Sequence, residues 1–332
     1  MKRIGIIGGG SWGTAWAILA ARAKHDVKLW CRDSTIVETI NSRHINPRYL
    51  SPTEIPKTVN ATSDLDEAIA EAEIVLLATP SHAVRELLSS LKSTLDNDTI
   101  FVSVAKGIEV NTGKRVSEVV RDVLGESVWR NFVCLSGPSF AKEVIERHPT
   151  AIVAASTNEE ARKTIQSELS VENLRIYTNS DVVGTELGGS VKNVMAIAAG
   201  MTVGLGYGSN TVAALITRGL AELTRLALSQ GGQLETLMGL AGLGDLVLTC
   251  TGSLSRNRFV GEELGRGRTI EEISANMSEV AEGIRTTRAV KQLAAQAGIE
   301  MPITNAVDDV LYGGKSAREV VVELMSRPLK RE

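Results

Sequence analysis

An open, mostly parallel α/β sheet followed by an all-helical second part is the fold class that three features of this 332-residue chain predict. Short, nearly all-apolar runs alternate with helical patterns through the first half. A glycine cluster, "GIIGGGSWGTAWA" at residues 5–17, separates the first such run from the first helix. After Asp181 the strand pattern stops, and glycine-punctuated helical segments take over.

The elements follow in order. Arg3–Gly8 reads as a strand, Ser11–Lys24 as a helix and Asp26–Cys31 as a second strand. "RHINPRYLSPTEIP" is Pro-rich and irregular, and reads as a long loop over the sheet. Glu73–Thr79 is a short apolar strand with a helix from His82 behind it, and Thr99–Ala105 is another strand. Phe132–Ser136, Thr150–Ala155 and Leu174–Tyr177 add three more, with a charged helix, Glu159–Leu169, between the last two. Continuous rather than alternating apolar strands indicate a sheet covered on both faces. Beyond them the expected helices are Glu186–Met201, Thr211–Gln230, Asn257–Gly265, Ile270–Asn276, Thr286–Ala297 and Asn305–Tyr312. The chain therefore divides into residues 1–180, a Rossmann-type sheet domain, and residues 181–332, an all-helical domain.

Composition narrows the function. A net charge of −3 with no basic block argues against nucleic acid as a partner. Cys31, Cys134 and Cys250 are widely spaced and form neither a zinc pattern nor a disulfide framework. A reducing cytoplasm and a metal-free site are the simpler expectations. No apolar run reaches the ~18 residues of a membrane span, and the Ala/Gly-rich stretch 195–208 comes nearest.

Gly8, Gly10 and Gly13 fit G-x-G-x-x-G behind an N-terminal strand. The first glycine permits the tight turn, the second lets the backbone approach a pyrophosphate, and the third lets helix pack on strand. The phosphates would sit at the helix N-terminus. Trp12 occupies a free x position, either as a packing residue or as a wall over the cofactor. NAD-binding proteins often place an acid for the ribose hydroxyls at the end of the second strand. Here Cys31 stands there, followed by Arg32, whose guanidinium suits a 2′-phosphate. NADP(H) is favoured, and Asp33, one or two positions late, keeps NAD(H) open.

Proton chemistry needs a partner for the hydride step. The four histidines have unpromising settings, with His25 and His148 reading as turn residues. Lys106 ends an apolar strand ahead of Gly107, at the end of a parallel sheet where ligands bind. Lys192 lies in the small, apolar "ELGGSVKNVMAIAAG", and is either a snorkelling surface residue or a functional ammonium. Asn193 beside it diverges on the helix and adds little. "CLSGPSFAKEV" ends a strand in a polar turn. Ser255-Arg256-Asn257 ahead of a helical run offers hydroxyl, guanidinium, amide and helix-end donors, which suit a phosphate. Taken alone, that run also reads as a solvated helix cap.

Together, "GGGSWGTA", "VSVAKGIE", "LSGPSFAKEV", "ELGGSVKNVMAIAAG", "LAGLGDLVLTCTGSLSRNR" and "VAEGIRTT" resemble the NAD(P)-dependent glycerol-3-phosphate dehydrogenases of the bacterial type, essentially end to end. The resemblance implies reversible reduction of dihydroxyacetone phosphate to sn-glycerol 3-phosphate for phospholipid synthesis, by a homodimer. It implies Lys192 as proton donor or acceptor. Lys106, Gly137, Ser139, Lys192, Asp245, Ser255, Arg256 and Asn257 would contact substrate. Ser11, Trp12, Arg32, Lys106, Ala141, Arg256, Val280 and Glu282 would line the cofactor with the glycines, and Tyr49 is a further candidate. Cys31 departs from many relatives, which carry another residue before the arginine. Two alternatives stand beside this reading. One is another Rossmann reductase with a helical second domain, acting on a hydroxy acid or ketopantoate; such an enzyme needs no phosphate clamp. The other is a non-enzymatic NAD(P)H sensor, which would carry an interaction module that is not visible here.

Overall fold

The computed structural model describes residues 1–91, 95–275, 277 and 281–329. Eight strands form one sheet: β1 (Arg3–Ile7), β2 (Asp26–Trp30), β3 (Val59–Thr62), β4 (Ile74–Leu77), β5 (Ile100–Ser103), β6 (Phe132–Ser136), β7 (Thr150–Ala155) and β8 (Leu174–Asn179). Their order is β3-β2-β1-β4-β5-β6-β7-β8. The first six run parallel, with Ile4 opposite both Val27 and Ile74. β7 returns antiparallel to β6, and β8 runs parallel to β7. The sheet is thus parallel in its first six strands and reverses once, between β6 and β7, whose connection carries the short helix Ala141–Ile145.

β3 has no strand-like signature in the sequence; "VNAT" is four residues long and alternates buried with exposed. The helix Ser34–Arg43 was also not predicted. Its start signal is Asp33, whose carboxylate accepts from the backbone N–H of Thr35 at 2.9 Å and from its hydroxyl at 2.7 Å. An acid bonded to the helix it opens is an N-cap. The predicted loop over the sheet follows that helix.

Apolar side chains fill both faces of the sheet. One layer gathers Ile4, Ile6, Trp16, Leu29 and Val102, and the other Ile7, Val75, Leu77, Phe101 and Val120. A third core lies mainly among the later helices, around Val191, Met195, Leu223 and Val290, and takes in Ile108 from the sheet half. At its centre runs the helix Val182–Gly204, buried on every side over most of its length. Its Ala/Gly-rich part is therefore a packing surface. Gly200 and Gly204 face the helix Arg256–Gly265 so closely that a Cβ on Gly200 would lie 2.0 Å from the Arg258 carbonyl oxygen. Gly261 makes the reciprocal approach to Ile197. This contact sets the start of the Arg256 helix beside Lys192 and Asn193. Among the described residues, no helix is long and apolar enough to cross a membrane.

Candidate active site

The strand order turns between β1 and β4, and in open α/β sheets ligands bind at the carboxyl ends of strands beside such a switch. A cleft of about 680 Å³ opens there, between the sheet and the later helices. Gly8, Gly9, Gly10, Ser11 and Trp12 form one wall; Lys106, Lys192, Asn193, Thr249, Ser255, Arg256 and Asn257 form the far end.

The glycine turn is shaped for a ligand. Gly8 has φ of +123°, and a Cβ there would press on the Ala78 carbonyl oxygen at 2.7 Å. A Cβ on Gly13 would collide with the Gly8 carbonyl, so the third glycine permits the helix to fold back onto the turn. Gly13 consequently lies behind the cradle, outside the cleft wall. A Cβ on Gly10 would meet no atom within 4 Å, because it would project into open cleft. The helix Ser11–Arg22 starts there, with its N-terminal dipole toward that space. Backbone donors, open space and a helix end suit a pyrophosphate. Trp12 lines the cleft, with its ring 6.1 Å from that of Trp16. It is therefore both a wall and a packing residue.

Cys31 is buried, and its Sγ would be 2.3 Å from a Cβ on Gly9, so the thiol packs behind the turn. Burial first, then the charge of Asp33, pushes that thiol up to about 12. Arg32 is exposed and lines the cleft; Asp33 lines it too, with its carboxylate occupied in capping.

At the far end Asp245, fully buried, lies between two ammonium groups. Lys192 donates to its Oδ1, and Lys106 donates to Oδ2 at 2.7 Å and more weakly to the Gly137 carbonyl at 3.4 Å. Lys192 is 5 % exposed, which excludes the snorkelling alternative, and it still reaches the cleft. Burial is the main force on its ammonium, and the Lys106 charge adds to it. Together they outweigh Asp245 and push Lys192 down to about 7. Two cations around one carboxylate leave an excess of positive charge where a carbonyl oxygen could develop negative charge.

Ser255 caps the helix Arg256–Gly265, its hydroxyl accepting from the Arg258 N–H at 3.2 Å. The Asn257 amide donates to Asn193 Oδ1 at 3.0 Å and accepts from the Gly283 N–H at 2.8 Å. Asn193 lines the cleft, and its Oδ1 is the partner of the Asn257 amide at one end of this chain of bonds. Glu282, at the start of the helix Glu282–Gln296, accepts from the Ser81 hydroxyl at 2.8 Å and ties the two halves across the cleft. Burial raises its carboxyl, which Ser81 and then Arg256 oppose.

Of the other predicted residues, Ser139 and Tyr49 line the cleft. Gly137, with φ of +143°, shapes the turn behind it; its carbonyl also accepts from the Ser139 hydroxyl at 3.0 Å. Ala141 is buried just past the wall formed by Phe140, and Asp245 stands behind the two lysines. Val280 lies outside the described residues. His25 lies in the turn between the helix Ser11–Arg22 and β2 and is buried there: Nδ1 accepts from the Lys2 N–H at 3.1 Å and Nε2 donates to the Glu168 carbonyl at 2.8 Å. Thr249, in the polar stretch ahead of Ser255, lines the cleft as well, and cleft residues that sequence reasoning missed include Arg48, Thr79 and Phe140. Among the described residues, no His/Cys/Asp/Glu group could hold a metal ion.

A glycine cradle at a sheet switch point, facing a buried lysine across one cleft, is the arrangement of a dinucleotide-dependent oxidoreductase. The profile of the NAD-dependent glycerol-3-phosphate dehydrogenase N-terminus matches residues 3–162, and that of the C-terminus residues 181–322. The chain belongs to this family. It is 52 % identical to a glycerol-3-phosphate dehydrogenase [NAD(P)+] of Koribacter versatilis, over 100 % of this chain and 99 % of that protein. A namesake from Myxococcus xanthus is 50 % identical over 98 % of each. The crystal structure of glycerol-3-phosphate dehydrogenase from Coxiella burnetii superposes with a TM-score of 0.93 at 40 % identity, covering 98 % of this chain and 99 % of that one.

Proposed function

We propose that this chain catalyses the reversible, NADPH-dependent reduction of dihydroxyacetone phosphate to sn-glycerol 3-phosphate, in the cytoplasm and as a homodimer, to supply glycerophospholipid synthesis. The observation that carries the reading is Lys192: an ammonium buried in the helical half, held at Asp245, and open to the same cleft as the glycine turn. The names of the close relatives support the substrate and the cofactor pair. In this reading residues 1–180 hold the cofactor, and residues 181–332 bring the proton and the phosphate clamp.

Gly8, Gly10, Ser11 and Trp12 would cradle the pyrophosphate, with Gly13 supporting the turn, and Arg32 would take the 2′-phosphate. Tyr49, Ala141, Val280 and Glu282 would complete that side. The cofactor, when bound, supplies a hydride to the ketone carbon or takes it back from the alcohol. Lys192 gives its proton to the ketone oxygen during reduction and takes one from the hydroxyl during oxidation. A pKa of about 7 suits both tasks near neutrality. Asp245 holds Lys192 and Lys106 in place, and the Lys106 ammonium adds positive charge near the oxygen. Ser255, Arg256 and Asn257, at a helix N-terminus, would grip the phosphate, while Gly137 and Ser139 shape the opposite wall. Arg256 lines the same cleft as both lysines and Glu282, and would serve both ligands.

A substrate panel tests the reading. Nicotinamide absorbance is followed with dihydroxyacetone phosphate, dihydroxyacetone, ketopantoate and pyruvate, using NADPH and then NADH. The phosphorylated ketone with NADPH should be fastest. Faster turnover of either keto acid would overturn the substrate assignment.

A further inference from the structure

The mouth of the cleft carries a second arginine. Arg48 lies on the loop after the helix Ser34–Arg43 and lines the same cavity as Arg32 and the glycine turn. Its backbone is held in place. Asn46, 1 % exposed, donates from Nδ2 to the Gly9 carbonyl at 3.0 Å and to the Thr14 hydroxyl at 2.8 Å. Its Oδ1 accepts from the N–H groups of Arg48 and Tyr49 at 3.2 and 3.1 Å. Both donors and both acceptor positions of this amide are therefore used, and one buried side chain fastens the Arg48–Tyr49 turn to the glycine turn. The Arg48 guanidinium lies 5.5 Å from the centre of the Tyr49 ring, which favours an extended side chain at the rim.

Electrostatics adds a reason for the second charge. Asp33 lines the same cleft, and its carboxylate is committed to the Thr35 N–H and hydroxyl. Those bonds hold its carboxyl below the usual range, and Arg48 contributes a smaller pull in the same direction. Among the described residues neither Arg32 nor Arg48 makes an ion pair, so their two charges remain for a ligand. A phosphate monoester carries nearly two charges near neutrality. Two guanidiniums match it, and each offers a fork of parallel donors.

We propose that Arg48 is the second guanidinium of the 2′-phosphate site, gripping that group together with Arg32 and so setting the preference for NADP(H) over NAD(H). This rests on the NADP(H) reading above, and the test separates the two. Adenosine 2′,5′-bisphosphate and adenosine 5′-monophosphate differ only in the 2′-phosphate. Each is titrated calorimetrically into the full chain and into its Arg32→Ala, Arg48→Ala and Arg48→Lys variants. Both residues are exposed, so folding is not at risk. Arg48→Ala should weaken the bisphosphate about tenfold or more, as expected for a lost charge-assisted bond, and the monophosphate less than about twofold. Arg48→Lys should recover part of the loss, since it restores a charge but not the fork. The ratio of kcat/KM for NADPH over NADH should fall in step.

Equal weakening of both ligands by Arg48→Ala would overturn the inference and make Arg48 an adenine-stacking or loop-shaping residue. Unchanged binding of both would overturn it too. If Arg32→Ala discriminates and Arg48→Ala does not, this inference falls and the NADP(H) reading stands. If the unaltered chain binds the two ligands alike and Arg32→Ala changes neither, the NADP(H) reading falls and takes the Arg48 assignment with it.

Discussion

Lys192 and Glu222 are both buried ionisable residues in the helical half, and burial moves both to about 7 from opposite directions. Glu222 rises because its carboxyl is cut off from water, although it accepts from the N–H groups of Ile303 at 2.7 Å and Thr304 at 3.3 Å. These donors belong to the start of the helix Pro302–Tyr312, so Glu222 serves as a cap supplied from a neighbouring helix. Lys192 falls for the same dielectric reason, with Lys106 adding to it. The difference is access. Glu222 faces only protein donors, whereas Lys192 opens on the cleft at the sheet's switch point. A perturbed ionisable group is thus a chemical candidate only where a reacting atom can reach it.

The largest expected effect comes from removing the accessible member. Lys192→Ala should lower turnover by about 10²-fold or more while cofactor binding survives. The unaltered protein should show the matching pH signature. Reduction needs the protonated amine, so its rate should fall as pH rises through about 7; oxidation needs the neutral amine and should rise through the same point. Near-normal turnover in a folded Lys192→Ala protein would erase the distinction between the two residues.

A smaller effect should come from the far end of the same cleft. Arg256→Lys keeps a charge and loses the fork, and should cost about 1.5–3 kcal/mol in kcat/KM for dihydroxyacetone phosphate. Dihydroxyacetone, which has no phosphate, should lose far less. Equal losses would move Arg256 from the phosphate to the cofactor or the fold, with Lys106 next in line for the clamp.

The smallest effect on turnover should come from the closed site. Glu222→Gln should leave kcat within about twofold, since it is remote from the chemistry. Its signature should be in stability. The folded value is raised from 4.5 to about 7, so this group's stabilisation is complete below about pH 4.5 and lost as pH rises through about 7. That term is on the order of 3 kcal/mol, from about 1.4 kcal/mol per pH unit. Chemical denaturation at pH 5 and pH 8 should show it in the unaltered chain and not in the variant. An unchanged pH slope would mean that Glu222 is not the titrating group.

Local signals carried most of the legible part of the site. The glycine turn, the missing acid at Cys31, and Ser255-Arg256-Asn257 are each contiguous, so their chemistry can be read within a few residues. Lys192 stood out as a single charge in a small-residue run, but its partner did not. Asp245 lies 53 residues away, and Lys106 139 residues from Asp245, so nothing in their spacing pairs them. Asn46 and Arg48 sit in an irregular loop without periodicity, and their meaning depends on the Gly9 carbonyl, to which Asn46 bonds. Asp33 illustrates a signal that the letter alone does not give: that it caps the helix Ser34–Arg43 is visible only in its bonds to Thr35.

By itself the sequence determined the class of fold, the position of the glycine turn and the family. Apolar strand runs, glycine spacing and helix starts are short-range properties, and short-range sterics and hydration decide them. Only the tertiary structure decided that β7 reverses direction, that the glycines of the central helix admit the Arg256 helix at contact distance, and that one buried carboxylate holds two ammonium groups. These depend on which distant segments share a surface. A proton-transfer pKa depends on that sharing too, because burial and neighbouring charge are properties of the packed molecule, not of the lysine.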